Sequence, residues 1–285
     1  SIYHLGYILG PRINAGGRVG KCSHGANLLL NSDPKEVYRL ATELNQYNNE
    51  RKMLEKDLVE KILVKSQVNL KDPVLILEGK NWHEGIIGIV AARLKDKFNK
   101  PTILISFDGN IGKASARSIV GFDIGSVIIA ASHENILLRG GGHKMAGGFS
   151  IKLENVEKFK KFISKKFESI NENLKIEKPL LVDSIISPSA VNIEFYKKVA
   201  LLSPFGSGNP EPKFVIEDLK TINGKIVGES HIKSVLIGKD GSTIKSIAFN
   251  SLEKDISPFL IKKNNKSFNI AGKLSLNEWK GQSNV

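Results

Sequence analysis

The residues best suited to chemistry lie in a glycine-rich stretch around a histidine, at positions 139–149. Five glycines surround His143 there. Glycine has no Cβ atom, so its backbone N–H groups can approach a bound anion closely. The stretch therefore predicts a flexible phosphate-binding segment with an imidazole beside it. The alternative is a glycine-rich turn between two elements.

A second stretch, at positions 10–20, combines glycine with arginine. Arg12 and Arg18 flank Asn14, which suits a loop whose amides and guanidinium groups converge on one anion, although a surface turn is the alternative. Lysine is the usual cation of this chain, and arginine is rarer. Arginine in glycine- or serine-rich stretches therefore indicates a need for the planar fork that holds phosphate. The four arginines in such stretches are Arg12, Arg18, Arg117 and Arg139.

Strand and helix patterns indicate how such residues are positioned. Along residues 112–118, small residues alternate with Lys113, Ser115 and Arg117. A strand would place these three side chains on one face, as the floor of a phosphate site. His83 follows a short apolar strand and precedes a helix, so it either faces a ligand or caps that helix. The order strand, loop, helix and strand predicts an α/β fold.

Apolar residues at a three-to-four spacing predict one long amphipathic helix from residue 32 to about residue 67. Ser32 or Asp33 would cap it, with Pro34 in the first turn. A proline- and glycine-rich elbow at 203–212 precedes several short β-type runs, which predict a small barrel. Nucleic acid would contact that barrel through lysines, with Phe249 or Trp279 stacking on bases.

Composition narrows the class of protein. A net charge of +13 favours polyanionic partners, nucleic acid first, although lysine-rich usage is also typical of AT-rich genomes. No apolar run has the length of a membrane span, and the single cysteine, Cys22, excludes an internal disulfide and a cysteine-based zinc site. These features predict a cytoplasmic protein with no membrane partner.

Taken in order, the motifs resemble the RecJ family of bacterial single-strand-specific 5′–3′ exonucleases, within the DHH phosphoesterase superfamily. One such motif is weak, but six in the family's order are strong, and they cover nearly the whole chain. The matching stretches are residues 10–18, 82–91, 115–123, 141–148, 204–212 and 277–279.

The resemblance implies a domain organisation. Residues 1–31 would end the DHH domain with the glycine–arginine loop, and residues 32–70 would form a long connecting helix. Residues 71–172 would form the DHH-associated α/β domain, with a small mixed sheet that binds the nucleic-acid strand. Residues 173–285 would form a RecJ-type OB-fold β-barrel, truncated at its end. The chain starts at Ser1 without methionine, and we expect it to be a fragment.

The resemblance also implies roles for single residues. His143 would support catalysis, and further DNA contacts would come from His83, Lys113 and Trp279. The phosphate-binding residues would be Arg12, Arg18, Ser115, Arg117, Ser118, Gly141, Gly142 and His143.

Two divalent ions, Mn²⁺ or Mg²⁺, are bound in this family by aspartates and histidines of the DHH domain. The present sequence contains no DHH triplet and no Asp-x-Asp pair. We therefore expect no metal site in this chain, which would bind single-stranded DNA without cutting it. The implied partners are single-stranded DNA and single-strand-binding protein or other factors of DNA repair and recombination, with the protein a monomer.

Two other functions compete with this one. An enzyme of the same superfamily could act on short oligonucleotides or cyclic dinucleotides, but it would need neither the elbow at 203–212 nor the strands that follow. A non-catalytic single-strand-binding module from a split gene is the second alternative.

Overall fold

The structure is a computed structural model that describes residues 4–64, 69, 71–171, 180–206, 208–262, 266–279 and 281–285. By its internal contacts, the chain divides into two compact units, Ser1–Lys178 and Pro179–Val285. None of the helices among these residues is both long enough and apolar enough to span a membrane.

The first unit begins with helices. The longest is the amphipathic helix predicted from the apolar spacing, and it begins at Pro34, where Asp33 Oδ1 accepts a hydrogen bond from the N–H of Lys35 (3.1 Å). Its buried stripe includes Leu40, Leu44 and Ile62. The helical elements are a short π-helix (His4–Leu9), α1 (Gly10–Val19), α2 (Ser23–Leu30) and α3 (Pro34–Val64).

The glycine–arginine stretch at 10–20 forms helix α1, so the prediction of a loop was wrong. Pro11 lies in the first turn, where a missing N–H costs the helix nothing. Gly16 is buried, and a Cβ atom there would lie 2.8 Å from the carbonyl oxygen of Lys21 and 3.2 Å from Leu44 on α3. Glycine at this position therefore allows α1 to pack closely on α3. The glycines of this stretch were also the reason why a loop was predicted.

A mixed sheet follows the helices. Its order is β1-β2-β3-β5-β4, with β1 and β2 parallel and the other pairs antiparallel. This is the small mixed sheet that was predicted. The elements are β1 (Leu75–Lys80), α4 (Glu84–Phe98), β2 (Thr102–Asp108), β3 (Ile111–Arg117), α5 (Ile124–His133), β4 (Arg139–His143), β5 (Ala146–Lys152), a 3₁₀ turn (Leu153–Asn155) and α6 (Val156–Asn171).

The two faces of this sheet are covered differently. On one face, side chains of β2, β3 and β5, such as Ile103 and Phe149, join those of α5 and α6 in one apolar cluster. On the other face, Leu77 and Leu104 of β1 and β2 pack against α3 and α4. The second cluster contains no residue of β4 or β5, so α4 covers only part of that face.

A buried carboxylate connects α3 to α4. Glu55 is 1% exposed, accepts a hydrogen bond from Nη1 of Arg51 (2.9 Å) and forms an ion pair with Arg93 of α4. Asn48, also buried, accepts from Nη2 of Arg51 (3.1 Å). The carboxylate is thus shielded from water and matched by two guanidinium groups.

Replacing Glu55 should therefore destabilise the first unit. We expect Glu55→Ala to lower the free energy of unfolding of this unit by about 3 kcal/mol, because Arg51, whose side chain is only 14% exposed, would lose its carboxylate partner. The matched control is Glu60→Ala on the same helix, whose exposed pair with Lys56 (3.8 Å) should contribute less than about 0.5 kcal/mol. Differential scanning calorimetry measures both, and equal losses would contradict the argument.

The second unit is mainly β. Its sheet has the order β10-β7-β8-β9, the short β6 pairs in parallel with the start of β7, and β11 pairs with β12. Leu219, Leu236 and Leu260 form its centre. This half-barrel agrees with the predicted OB fold. The elements are β6 (Ser184–Ile185), a 3₁₀ turn (Pro188–Ala190), α7 (Ile193–Ala200), β7 (Phe214–Val227), β8 (His231–Ile237), β9 (Thr243–Ala248), α8 (Ser257–Ile261), β10 (Phe268–Gly272), β11 (Asn277–Trp279) and β12 (Gln282–Asn284).

Candidate nucleic-acid interface

Strand pairing across β3, β5 and β4 aligns three rows of residues on the partly covered face of the sheet. Burial alternates along β3, with Ala114 and Ala116 buried and Lys113, Ser115 and Arg117 on the opposite face, as the alternation predicts. The rows are Lys113–Ser150–Arg139, Ser115–Gly148–Gly141 and Arg117–Ala146–His143.

The glycine-rich stretch is a regular hairpin of β4 and β5, and not the flexible segment that was predicted. Helix α5 packs directly on β4, and this close approach requires a glycine on the helix. A Cβ atom at Gly125 of α5 would lie 2.8 Å from the nitrogen of His143 and 2.9 Å from the carbonyl carbon of Gly142. A Cβ atom at Gly141 would have no neighbour within 4 Å, since it would point into open space on the other face.

An open groove of about 600 Å³ lies over this floor. Lys113, Ser115 and Arg139 line it together with Gly141 and Gly148. Glu84, the first residue of α4, lines the groove too, and its Oε1 lies 2.8 Å from Nζ of Lys113. Lys113 thus has a carboxylate partner, whereas Arg139 is exposed beside the glycine floor.

Arg117 lies half-buried between β3 and α4. Its Nη1 donates to Ser115 Oγ (3.1 Å) and to the carbonyl of Ala116 (2.8 Å). Gly88 leaves room for it, since a Cβ atom there would lie 2.9 Å from Nη2 of Arg117. Burial lowers the pKa of Arg117, and the positive charge of Arg18 lowers it further. An anion at this point would relieve the repulsion between the two guanidinium groups.

Of the two arginines on α1, Arg18 is the one that the structure places close to Arg117. Its Nη1 donates to the carbonyl of Gly85 at the start of α4 (3.2 Å). Arg12 instead donates from Nε to Asn45 Oδ1 (3.0 Å) and from Nη1 to the carbonyl of Ile8 (2.7 Å). A phosphate contact by Arg12 stays a prediction that these contacts do not support.

His143 and His83 are oriented by backbone hydrogen bonds. Nδ1 of His143 accepts from the N–H of Met145 (3.3 Å), and Nδ1 of His83 accepts from the N–H of Gly85 (3.1 Å). His83 is therefore the N-cap of α4, which was one of its two predicted roles. In a neutral ring the proton then lies on Nε2, so each exposed ring offers an N–H donor of the kind that a phosphate oxygen accepts.

Ser118, a predicted phosphate-binding residue, does not line the groove. Ser118 is 1% exposed, and its Oγ donates to the carbonyl of Phe122 (2.6 Å), so the hydroxyl has a structural role. Trp279 ends β11, and its side chain lies outside the described residues. Arg139 and Glu84 were absent from the predicted site. Arg139 had been singled out only as one of the four arginines in glycine- or serine-rich stretches. Counting back from His143 with a strand period of two would have placed it on the same face as His143.

Ion pairing separates the arginines into two groups. Arg39, Arg51 and Arg93, which lie outside glycine- and serine-rich stretches, each pair with a glutamate. The other four arginines have no carboxylate within 4.0 Å among the described residues. They are Arg12, Arg18, Arg117 and Arg139, the four that the sequence singled out.

The second unit has its own basic surface. Register across β7, β8 and β9 puts Lys225 beside Lys233 and Ile247, and Lys245 one row away. Phe249 is 64% exposed next to this surface, where its ring contacts His231 (centroids 5.3 Å apart). Cations beside exposed aromatic rings are typical of surfaces that bind single strands.

Within the described part of the chain, no group of three or more His, Cys, Asp or Glu residues could hold a metal ion. The residues present therefore do not fit a pair of divalent ions, and no chemical step can be assigned to metals held by them.

Comparison with known proteins agrees with the division of the chain into two compact units. Residues 71–169 match the DHHA1 domain family, and residues 182–285 match the RecJ OB domain family. The chain is 31% identical to RecJ of Bacillus subtilis over 96% of its length, and 31% identical to RecJ of Haemophilus influenzae over 99%. The chain is a RecJ homologue.

Solved structures of RecJ are also similar to this chain. The crystal structure of Thermus thermophilus RecJ in complex with Mg²⁺ superimposes with a TM-score of 0.81 at 27% identity, covering 98% of this chain and 42% of that one. RecJ of that organism has also been solved with Mn²⁺. The chain spans 35% of the Bacillus protein and 50% of the Haemophilus protein. Both are described as single-stranded-DNA-specific exonucleases.

Substitution distinguishes the glycine that packs between α5 and β4, Gly125, from a glycine that faces the groove, Gly141. We expect Gly125→Ala to lower the free energy of unfolding of the first unit by about 1–2 kcal/mol, because the new methyl group meets the backbone of β4. Gly141→Ala should change it by less than about 0.5 kcal/mol, because its methyl group enters open space. Calorimetry of both variants checks this, and a large loss for Gly141→Ala would show that the groove floor is not open.

Proposed function

We propose that this chain is the substrate-holding part of a single-stranded-DNA exonuclease that digests from 5′ to 3′. The observation that carries the proposal is a set of three arginines around an open, glycine-floored sheet face. Arg18, Arg117 and Arg139 have no carboxylate within 4.0 Å in the part of the chain that the structure describes. Unpaired guanidinium groups on such a face suit a phosphate backbone, which passes close to the floor where Cβ atoms are missing.

Each groove residue has a part in this proposal. Arg117 and Arg18 bind one phosphate, Arg139 binds another, and Ser115 and Nε2 of His143 donate hydrogen bonds to phosphate oxygens. Gly141 and Gly148 let the strand approach.

Lys113 contributes less, because Glu84 already neutralises it. The lysines and Phe249 of the second unit bind a further part of the strand by charge and stacking.

Hydrolysis belongs to another part of the longer protein in this proposal. Its Mn²⁺ or Mg²⁺ ions would be held by acidic and histidine ligands outside the described residues. Solved structures of RecJ with Mg²⁺ and with Mn²⁺ support the use of a divalent ion. When bound, two such ions supply an activated water and stabilise the charge that develops on the phosphate. The chain's own residues hold the DNA strand in position for hydrolysis. The intact enzyme would act in DNA repair and recombination.

A short oligonucleotide or a cyclic dinucleotide is the competing substrate. It is less favoured, because a dinucleotide does not need the basic, aromatic surface of the second unit. The match of residues 182–285 to the RecJ OB domain supports the longer substrate.

Arg117→Ala should weaken binding of single-stranded DNA and reduce its salt dependence. Loss of one phosphate contact makes the negative slope of log K against log salt shallower by about 0.7. The matched control is Arg39→Ala, which removes an arginine that α3 already pairs with Glu36 and Glu43. Fluorescence anisotropy with labelled oligo-dT over a salt series measures both slopes. Equal slopes for Arg117→Ala and the unaltered chain, with the fold intact, would contradict a phosphate contact.

The chain alone should bind DNA without degrading it. We expect no release of mononucleotides from 5′-labelled single-stranded DNA in the presence of Mn²⁺, while the anisotropy of the same DNA still rises on binding. Metal-dependent release that follows the chain through purification would refute the assignment of the metals to another part of the protein.

A further inference from the structure

Glu84 is the one acidic residue among the described residues that line the groove over the glycine floor. Its carboxylate lies at the start of α4, where His83 caps the helix and where the helix dipole favours a negative charge. Both of its oxygens contact Nζ of Lys113 on β3, Oε1 at 2.8 Å and Oε2 at 3.0 Å. A carboxylate therefore lies on the side of the sheet where the proposed function puts the phosphates of the strand.

This ion pair distinguishes Lys113 from Arg139. The two residues belong to one register row, on either side of Ser150, so two strand intervals, or about 10 Å, separate them. Arg139 has no carboxylate within 4.0 Å in the part of the chain that the structure describes. The row thus offers a ligand one cation that is free of a carboxylate and one that is already neutralised.

Stability does not explain the pair of Glu84 with Lys113. The two side chains are 55% and 53% exposed, and ion pairs so open to water contribute little to folding. The contrasting case is Glu55, which is 1% exposed between Arg51 and Arg93. Water or a ligand can replace either partner of an exposed pair, so such a pair opens readily. Glu84 can therefore release Lys113 to a phosphate group at small cost.

We propose that Glu84 is a built-in competitor, which occupies Lys113 in the absence of DNA and limits how tightly this lysine binds the strand. This inference rests on the proposed function and names the residue that sets the affinity of the groove. A phosphate group must displace the carboxylate before it contacts Lys113, so the contact adds little net affinity. An exonuclease has to move its substrate after each cleavage, and a contact that exchanges between two anions is easily broken. Arg117 and Arg139, which have no such competitor among the described residues, supply the firmer contacts.

The test uses the whole 285-residue chain and labelled oligo-dT, with binding followed by fluorescence anisotropy over a salt series. Glu84→Gln keeps the shape of the side chain and removes its charge. We expect this variant to bind about fivefold more tightly. The negative slope of log K against log salt should steepen by about 0.7, because Lys113 gains a full phosphate contact. The matched control is Glu60→Gln, which removes a carboxylate from the exposed pair with Lys56 on α3 and should change affinity less than about twofold.

A second variant shows whether Glu84 acts through Lys113. In a Lys113→Met background the carboxylate has no ammonium group to occupy. The same Glu84→Gln change should then alter affinity less than about twofold and leave the salt slope unchanged. A fivefold gain that survives in this background would show that Glu84 only repels the strand from a distance, and it would refute the competition. Calorimetry should give the same unfolding temperature for Glu84→Gln and the unaltered chain, because the pair is exposed.

Failure of this inference and failure of the proposed function give different results. Equal affinities and equal slopes for Glu84→Gln and the unaltered chain, with DNA bound by both, would refute the competition and leave the proposed function standing. Weaker binding by Glu84→Gln would show that the carboxylate positions Lys113 for the strand, which also contradicts the competition. Absence of DNA binding by both proteins would refute the proposed function, and this inference with it.

Discussion

The candidate site depends on incomplete coverage of one sheet face. The opposite face is closed by α5 and α6, so the sheet already has an apolar core. Helix α4 packs on β1 and β2 and reaches β3 at Gly88, directly over Ser115 and Arg117. Polar side chains can occupy the remaining rows without the desolvation cost of full burial, because none of the described helices of this unit covers those rows. The position of α4 thus decides which residues stay available to a ligand.

Glycine has two functions in the hairpin of β4 and β5, one on each face. A Cβ atom at Gly140 would lie 2.7 Å from Ile128 of α5, and one at Gly147 would lie 2.5 Å from the same side chain. Gly141 and Gly148 face the groove instead. None of the glycines in this hairpin has a positive φ. The chain therefore uses the missing Cβ atom at these positions, and not the conformational freedom that glycine also provides.

Local sequence patterns correctly predicted those elements whose structure depends on their own sequence alone. The alternation in β3 predicted which side chains share a face, and Asp33 with Pro34 predicted where α3 begins. The pattern failed where distant contacts decide the structure. Helix α1 contains glycine and asparagine, which favour other conformations, and packing against α3 overrides that preference. Ser118 follows the last residue of β3, so the alternation that describes the strand no longer applies to it.

Tertiary structure was also needed to separate the arginines. Sequence context placed Arg12 and Arg18 in the same motif, but of the two only Arg18 contacts the start of α4, near Arg117. Arg18 and Arg117 lie close together, Arg117 is half-buried, and neither has a carboxylate within 4.0 Å among the described residues, so the two guanidinium groups repel each other. The buried Glu55 shows that this chain can supply a carboxylate where two arginines must be held for stability alone. Under the proposed function, an anionic ligand supplies the compensating charge beside Arg18 and Arg117, and binding of that ligand would then stabilise the first unit.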